Sequence, residues 1–283
     1  MLKINLHGNL RTMNTTKVKG FYDKHADIEI KRFDEPFRSI EFLSTLHLID
    51  KYFPPSGHVI DIGAGHGRYS IELLKREYKV TLFDQSQRLL KYAKKNIEKH
   101  SLKAEQYICD DSRNLQILED NSFDACLLMG PMYHIFDKHE RIDVLRDTYR
   151  ILRNNGIAMI AYLNSWGVIK AGVDEFPELY KDLANIERFL DECKWEMDPE
   201  VGFVDAYFST PVIALDEVQQ AGFKIISYAG AEGFVAGMVE SVNSLAFRVP
   251  EAYENLLDVI PKTCELERYR DTTENLRIIA KKE

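Results

Sequence analysis

The stretch that most constrains the fold is His58-Val59-Ile60-Asp61-Ile62, an apolar run holding one acid, which leads into glycines at alternate positions, Gly63, Gly65 and Gly67. The helical pattern Tyr69-Ser70-Ile71-Glu72-Leu73-Leu74 follows at once. This order predicts a strand, a tight turn and a helix. Glycines there let the backbone turn sharply and let a ligand come up against the main chain, where any Cβ would intrude. A flat, polar ligand is expected over the turn.

A structural turn or a dinucleotide site would also use glycines, and the spacing bears on the second. The G-x-G-x-x-G fingerprint needs its third glycine at position 68, which is Arg68; here the third is Gly67, and Asp61 stands shortly before the first. The next apolar run, Val80-Thr81-Leu82-Phe83, ends in Asp84. An acid at such a strand end can accept both ribose hydroxyls. Gln106-Tyr107-Ile108-Cys109 closes on Asp110-Asp111-Ser112, and Phe123-Asp124-Ala125-Cys126-Leu127-Leu128-Met129 on Gly130-Pro131. Four successive strands would finish at one edge of a parallel sheet, where open α/β sheets bind ligands.

On these motifs, over about residues 36–165, the chain resembles a class I S-adenosylmethionine-dependent methyltransferase. The resemblance implies a methyl transfer of EC 2.1.1 type by in-line displacement, with S-adenosylmethionine as cofactor. It implies that Gly63, Gly65 and Gly67 pass the methionine and ribose part, with Asp61 near the ammonium group and Met129 also against the cofactor. Asp84 would take the ribose hydroxyls, Asp111 the adenine amine, and the Ser112 amide would face the ring; Asp110 competes with Asp111 for the adenine contact. Leu127-Leu128-Met129-Gly130-Pro131-Met132-Tyr133-His134-Ile135 resembles a G-P-L-Y-H-L signature of one bacterial and archaeal branch, with Met132 replacing the usual leucine. The loop after Asp61 departs from that branch's proline-containing version. Tyr22, in Phe21-Tyr22-Asp23-Lys24-His25, resembles an amino-terminal lid tyrosine.

The expected fold is α/β: a Rossmann-like, seven-stranded, mostly parallel sheet with helices on both faces and a helical, aromatic cap insertion. Residues 1–35 would be a lead-in and lid, 36–164 the cofactor-binding core, 165–210 the cap and 211–283 the rest of the core. Helices are expected at 37–53, where Phe42, Leu46, Ile49 and Phe53 share a face, at 87–99, at 138–152 and at 211–221. Ile157 to Leu163 reads as the fifth strand, Phe223 to Ala229 as the sixth and Asn275 to Ala280 as the seventh; 250–267 reads as partly helical.

A formal net charge of −8 works against a large phosphate-binding surface. No nucleic-acid partner is expected. No segment has the uninterrupted apolar length of a membrane span or signal peptide, so a cytoplasmic protein, monomer or homodimer, is expected. Cys109, Cys126, Cys193 and Cys264 lie far apart without metal-ligand spacing and read as buried free thiols. No metal is expected.

Both tryptophans, Trp166 and Trp195, fall in the cap segment, as do Phe176, Phe203, Tyr207 and a net charge of −7. An insertion leaving the ligand edge can fold over the reacting methyl group, so Trp166 and Tyr207 are candidates for contact with a small-molecule acceptor, compact and neutral or cationic. Glu232, in the loop after the sixth strand, is a further candidate, or is simply solvated. His134 is the candidate general base because an unperturbed imidazole titrates near neutrality; a structural hydrogen bond would equally account for it. Tyr133 would orient the acceptor or pack. A methyltransferase acting on tRNA or protein, a nicotinamide enzyme and a non-catalytic cofactor-binding module are the alternatives.

Overall fold

The computed structural model describes residues 17–26, 35–175, 177–195 and 206–283. Phe176, Phe203 and the rest of 196–205, and the Trp195 side chain, lie outside the described part. The main sheet has seven strands: β1 (His58–Ile62), β2 (Lys79–Asp84), β3 (Gln106–Cys109), β4 (Phe123–Leu128), β5 (Leu152–Leu163), β8 (Lys224–Gly230) and β9 (Asn275–Lys281). Their spatial order is β3-β2-β1-β4-β5-β9-β8. Only β9 runs against the rest, being antiparallel to both β5 and β8. The expected mostly parallel, Rossmann-like sheet is therefore present.

Helices cover both faces, which explains why β1, β4 and β5 read as near-continuous apolar runs. On one face α2 (Pro36–Tyr52), α3 (Arg68–Lys75) and α4 (Gln87–Lys99) contribute Leu48, Leu73, Leu90 and Ile97 to a core with Val59, Val80 and Leu127. On the other, α5 (Lys138–Ile151) and α8 (Pro211–Gln220) bury Val144, Leu145, Ala214 and Val218 against Ile60, Leu128 and Ile160. Helix α4 starts where Ser86 Oγ accepts the Leu89 amide at 3.1 Å, and its buried Leu89, Leu90, Ala93 and Ile97 recur at helical spacing.

Four local expectations change. Strand β5 begins at Leu152, five residues early, because Phe123 pairs with Leu152 across a register shift at the sheet's lower end. Cys109 is exposed, since β3 is an edge strand; Cys126, Cys193 and Cys264 are buried. A helix runs over residues 17–26 (α1), where lead-in chain was expected. A further helix, α9 (Val239–Arg248), precedes α10 (Pro250–Val259) and packs Val239 and Val242 on Phe37 and Ile40 of α2. The cap segment forms α6 (Ser165–Glu175), α7 (Leu183–Glu192) and a two-stranded pair, β6 (Lys194–Trp195) with β7 (Ala206–Tyr207). Among the described residues no helix is long and apolar enough to cross a membrane.

Candidate active site

The carboxyl ends of β1, β2, β3, β4 and β5 open into one cavity of about 750 Å³. On one side it is lined by Gly63, Ala64, Gly65, Asp84, Asp110, Asp111, Ser112 and Met129, so most residues expected to hold the cofactor share one wall. The glycine loop is braced from beneath: the Gly63 and Ala64 amides both donate to Phe83 O, at 2.8 and 3.2 Å. A Cβ on Gly63 would lie 2.3 Å from Met129 O, so this glycine lets β1 and the β4 loop cross. Gly65 is different. Its φ is +55°, and a Cβ there would meet nothing within 4 Å, so the missing side chain leaves open cavity.

Asp84 ties that loop to the end of β2. Its Oδ2 accepts the Gly65 amide and its Oδ1 the Ser86 amide, both at 2.8 Å. Burial pushes the Asp84 carboxyl up to about 6, while the two amides pull it down. Asp61 stands behind the loop and not on the cavity wall: it is 1% exposed and accepts Ser70 Oγ at 2.6 Å. Burial pushes it up to about 7, Ser70 opposes the rise, and nearby Asp84 adds to it. Its Oδ1 is buried without a hydrogen-bond partner among the described residues. Gly67 is also absent from the wall. It caps α3 with φ +84°, and a Cβ there would press to 3.1 Å from Ala93 Cβ, so Gly67 serves the packing of α3 on α4.

The two adjacent acids after β3 differ in what they have left to offer. Arg113 grips both oxygens of Asp111, from Nε at 2.9 Å and Nη2 at 2.6 Å. Asp110 accepts the Asp111 amide and Asn114 Nδ2 on Oδ1 alone, at 2.7 and 2.8 Å.

Helix α1 crosses this wall as a lid. Tyr22 and Val18 line the cavity. Asp23 Oδ1 accepts Ser86 Oγ at 2.5 Å, Arg88 Nη1 donates to Asp23 O at 2.7 Å, and Tyr22 Oη lies 2.9 Å from His134 Nε2. Tyr133 and His134 both line the cavity and stack edge to face, on the short 3₁₀ turn Pro131–Tyr133 that follows β4. The Met132 side chain of the same turn is fully buried and anchors it.

The opposite compartment is charged and was not anticipated. Arg38 and Glu41 reach it from α2, Glu175 from the end of α6, Glu274 from just before β9, and Arg277 from within β9. Arg277 is 1% exposed and pairs with Glu41. Arg38 Nη2 lies 2.7 Å from Glu175 Oε2, and Nη1 lies 3.9 Å from Glu274 Oε2. Burial, then Glu232 and Glu175, push the Glu274 carboxyl well above its ordinary range; burial likewise raises Glu175, against the pull of Arg38. Arg277 carries a visible sequence signal, a cation inside the apolar run Leu276 to Ala280, whereas the others lie in unrelated stretches.

The three candidates for acceptor contact do not line this cavity. Trp166 is 44% exposed on the outer side of α6. Tyr207 is buried under the Arg141 guanidinium, 3.6 Å above its ring, beside the Arg141–Glu217 ion pair. Glu232 is 2% exposed and one layer back, accepting the amide and the Nδ2 of Asn275 at 3.2 and 2.7 Å. Asn275, not Glu232, faces the cavity.

Residues 59–156 match a family model described as a methyltransferase domain. YqeM of Bacillus subtilis is 24% identical over 49% of this chain and 56% of its own length. The glycine/sarcosine N-methyltransferase of Parasynechococcus marenigrum is 29% identical over 40% of each chain. The chain thus spans about half the length of these curated relatives. A solved S-adenosylmethionine-dependent methyltransferase of Methanosarcina mazei superposes with a TM-score of 0.57, at 18% identity, over 83% of this chain and 96% of that one. Residues 59–156 thus carry a methyltransferase domain, on a sheet with the fold of solved S-adenosylmethionine-dependent methyltransferases.

Proposed function

We propose that this protein transfers a methyl group from S-adenosylmethionine to a small-molecule acceptor. The observation that carries the reading is the single cavity of about 750 Å³, in which the strand-end loops face a separate charged compartment beneath a helical lid. A volume in this range suits small ligands, roughly 300–1,000 Å³ being usual for such sites. Relatives named above include one whose name specifies N-methylation of glycine and sarcosine, which supports a small acceptor in this chain as well.

The residues present fit the cofactor. Gly65 leaves open the space a side chain would fill, and Asp84 is buried at the strand end with both oxygens already oriented by backbone amides. When bound, the cofactor supplies an electrophilic methyl group on a sulfonium. Gly63 and Gly65 pass its methionine and ribose part, Asp84 accepts ribose hydroxyls, and Met129 and the Ser112 amide flank the rest. Of the two adjacent acids, Asp110 is the better adenine contact, because Arg113 occupies both oxygens of Asp111. Tyr22 closes over the site. His134 orients the acceptor or takes its proton, and Tyr133 shapes the same wall.

Calorimetry with S-adenosylhomocysteine against NAD tests the cofactor half of this reading. Binding of the first and not the second is expected; selective binding of NAD would overturn it. A labelled-methyl screen of small amines, phenols and acids beside tRNA and protein tests the acceptor half.

A further inference from the structure

The charged compartment gathers more carboxylates than guanidiniums. Glu41 is paired with Arg277, and Glu232 is held by Asn275. Glu175 and Glu274 are left to share one guanidinium, that of Arg38, which Glu35 also approaches at 3.7 Å. Each of the two shows Arg38 its Oε2. The Oε1 of each is buried with no hydrogen-bond partner among the described residues. Glu274 is 7% exposed and lines the cavity. Of the other two guanidiniums lining the cavity, Arg113 grips Asp111 and Arg68 lies over the Phe42 ring at 4.0 Å. A buried carboxylate oxygen that lacks a donor is stabilised when a proton or a cation reaches it.

Resting on the methyltransferase reading for the word acceptor, we infer that Glu274 and Glu175 form a seat for a protonated amine of the acceptor. An ammonium carries donors only, three of them, and so suits carboxylates that are short of donors. A carboxylate or phosphate would meet these oxygens with like charge. Among the described residues no three acidic, thiol or imidazole side chains converge as a metal site requires, which favours an organic cation over a metal ion. Tyr69, Tyr133 and Phe208 line the same cavity and bring aromatic rings, whose faces attract cations, into it. The seated nitrogen keeps its proton and has no lone pair, so the methyl group goes to another nucleophile of the same molecule. The acceptor class is a small amine bearing a second nucleophilic group.

The test is calorimetry on the full chain with three carbon skeletons, butyl, phenethyl and 2-(4-hydroxyphenyl)ethyl, each as an amine, a neutral analogue and a carboxylate. Titrations are run with and without S-adenosylhomocysteine and repeated with magnesium chloride alone. At least one amine is expected to bind about tenfold or more tighter than its neutral analogue. The carboxylates should not bind. Glu274→Gln and Glu175→Gln should abolish the preference while leaving S-adenosylhomocysteine affinity unchanged. No preference for the amine in any skeleton, including no binding at all, overturns the seat, as does tighter binding of magnesium than of every amine or a preference that survives in both variants. The wild-type series decides the matter even where a variant misfolds. Failure to bind S-adenosylhomocysteine refutes the methyltransferase reading and leaves the amine preference separately measurable.

Discussion

Tyr22 and His134 meet edge to face across the cavity mouth, phenol oxygen 2.9 Å from imidazole Nε2, although 112 positions separate them in the chain. The contact fastens the lid helix to the turn that holds the candidate base. Tyr22→Phe keeps the ring and removes the hydroxyl. It should weaken S-adenosylhomocysteine binding about fivefold, the value of one ordinary hydrogen bond near 1 kcal/mol. It should also speed proteolysis within residues 17–26. Calorimetry and limited digestion read both effects, and unchanged values would mean that the other lid contacts, those of Asp23 among them, suffice to hold it.

His134→Ala separates chemistry from architecture. If the imidazole moves a proton, turnover should fall by roughly 10²- to 10⁴-fold while cofactor affinity changes little. A drop in cofactor affinity matching that of Tyr22→Phe, with turnover otherwise kept, would assign His134 to holding the lid.

Asp84→Ala should weaken cofactor binding by about 1.5–3 kcal/mol for each charge-assisted bond lost. Asp84→Asn, which still accepts one amide from Gly65 or Ser86, should lose less. Full affinity in a folded Asp84→Ala protein would remove this residue from the ribose.

The stability of the cofactor-free protein should carry the mark of Asp61. Its folded value is raised, to about 7 from an ordinary 3.8, so the folded state holds a proton that the unfolded chain releases. That contribution is complete below about pH 4 and is lost as pH rises to 7, by up to about 1.4 kcal/mol per pH unit. Asp84, raised to about 6, acts in the same direction. Asp61→Asn cannot ionise, so its stability relative to wild type should climb between pH 4 and 7 and level off above. Parallel denaturation curves across that range would contradict the assignment.

The cavity wall formed by the strand-end loops was legible because it is built from consecutive strand-turn units: Gly63, Gly65, Asp84 and Ser112 each follow an apolar run that fixes where they emerge. Helix α4 was readable residue for residue, since Ser86 caps it and Leu89, Ala93 and Ile97 mark its buried face. The charged compartment was not readable. Arg38, Glu175 and Glu274 come from three elements whose docking depends on packing between residues distant in the chain, such as Phe37 and Ile40 against α9. Trp166 and Glu232 do not line the cavity for a related reason: the loop or helix lies where its place in the chain suggests, yet side-chain direction is set by neighbours. For Glu232 that neighbour is Asn275, which draws the carboxylate inward.

The most direct test of the account is transfer of label from methyl-labelled S-adenosylmethionine, with small amines, phenols and acids offered in parallel with tRNA, DNA and protein. The account predicts a labelled small molecule, formation of S-adenosylhomocysteine in equal amount, and loss of both in a folded Asp84→Ala variant. Label confined to nucleic acid or protein, or no transfer by an enzyme that binds the cofactor, would contradict it.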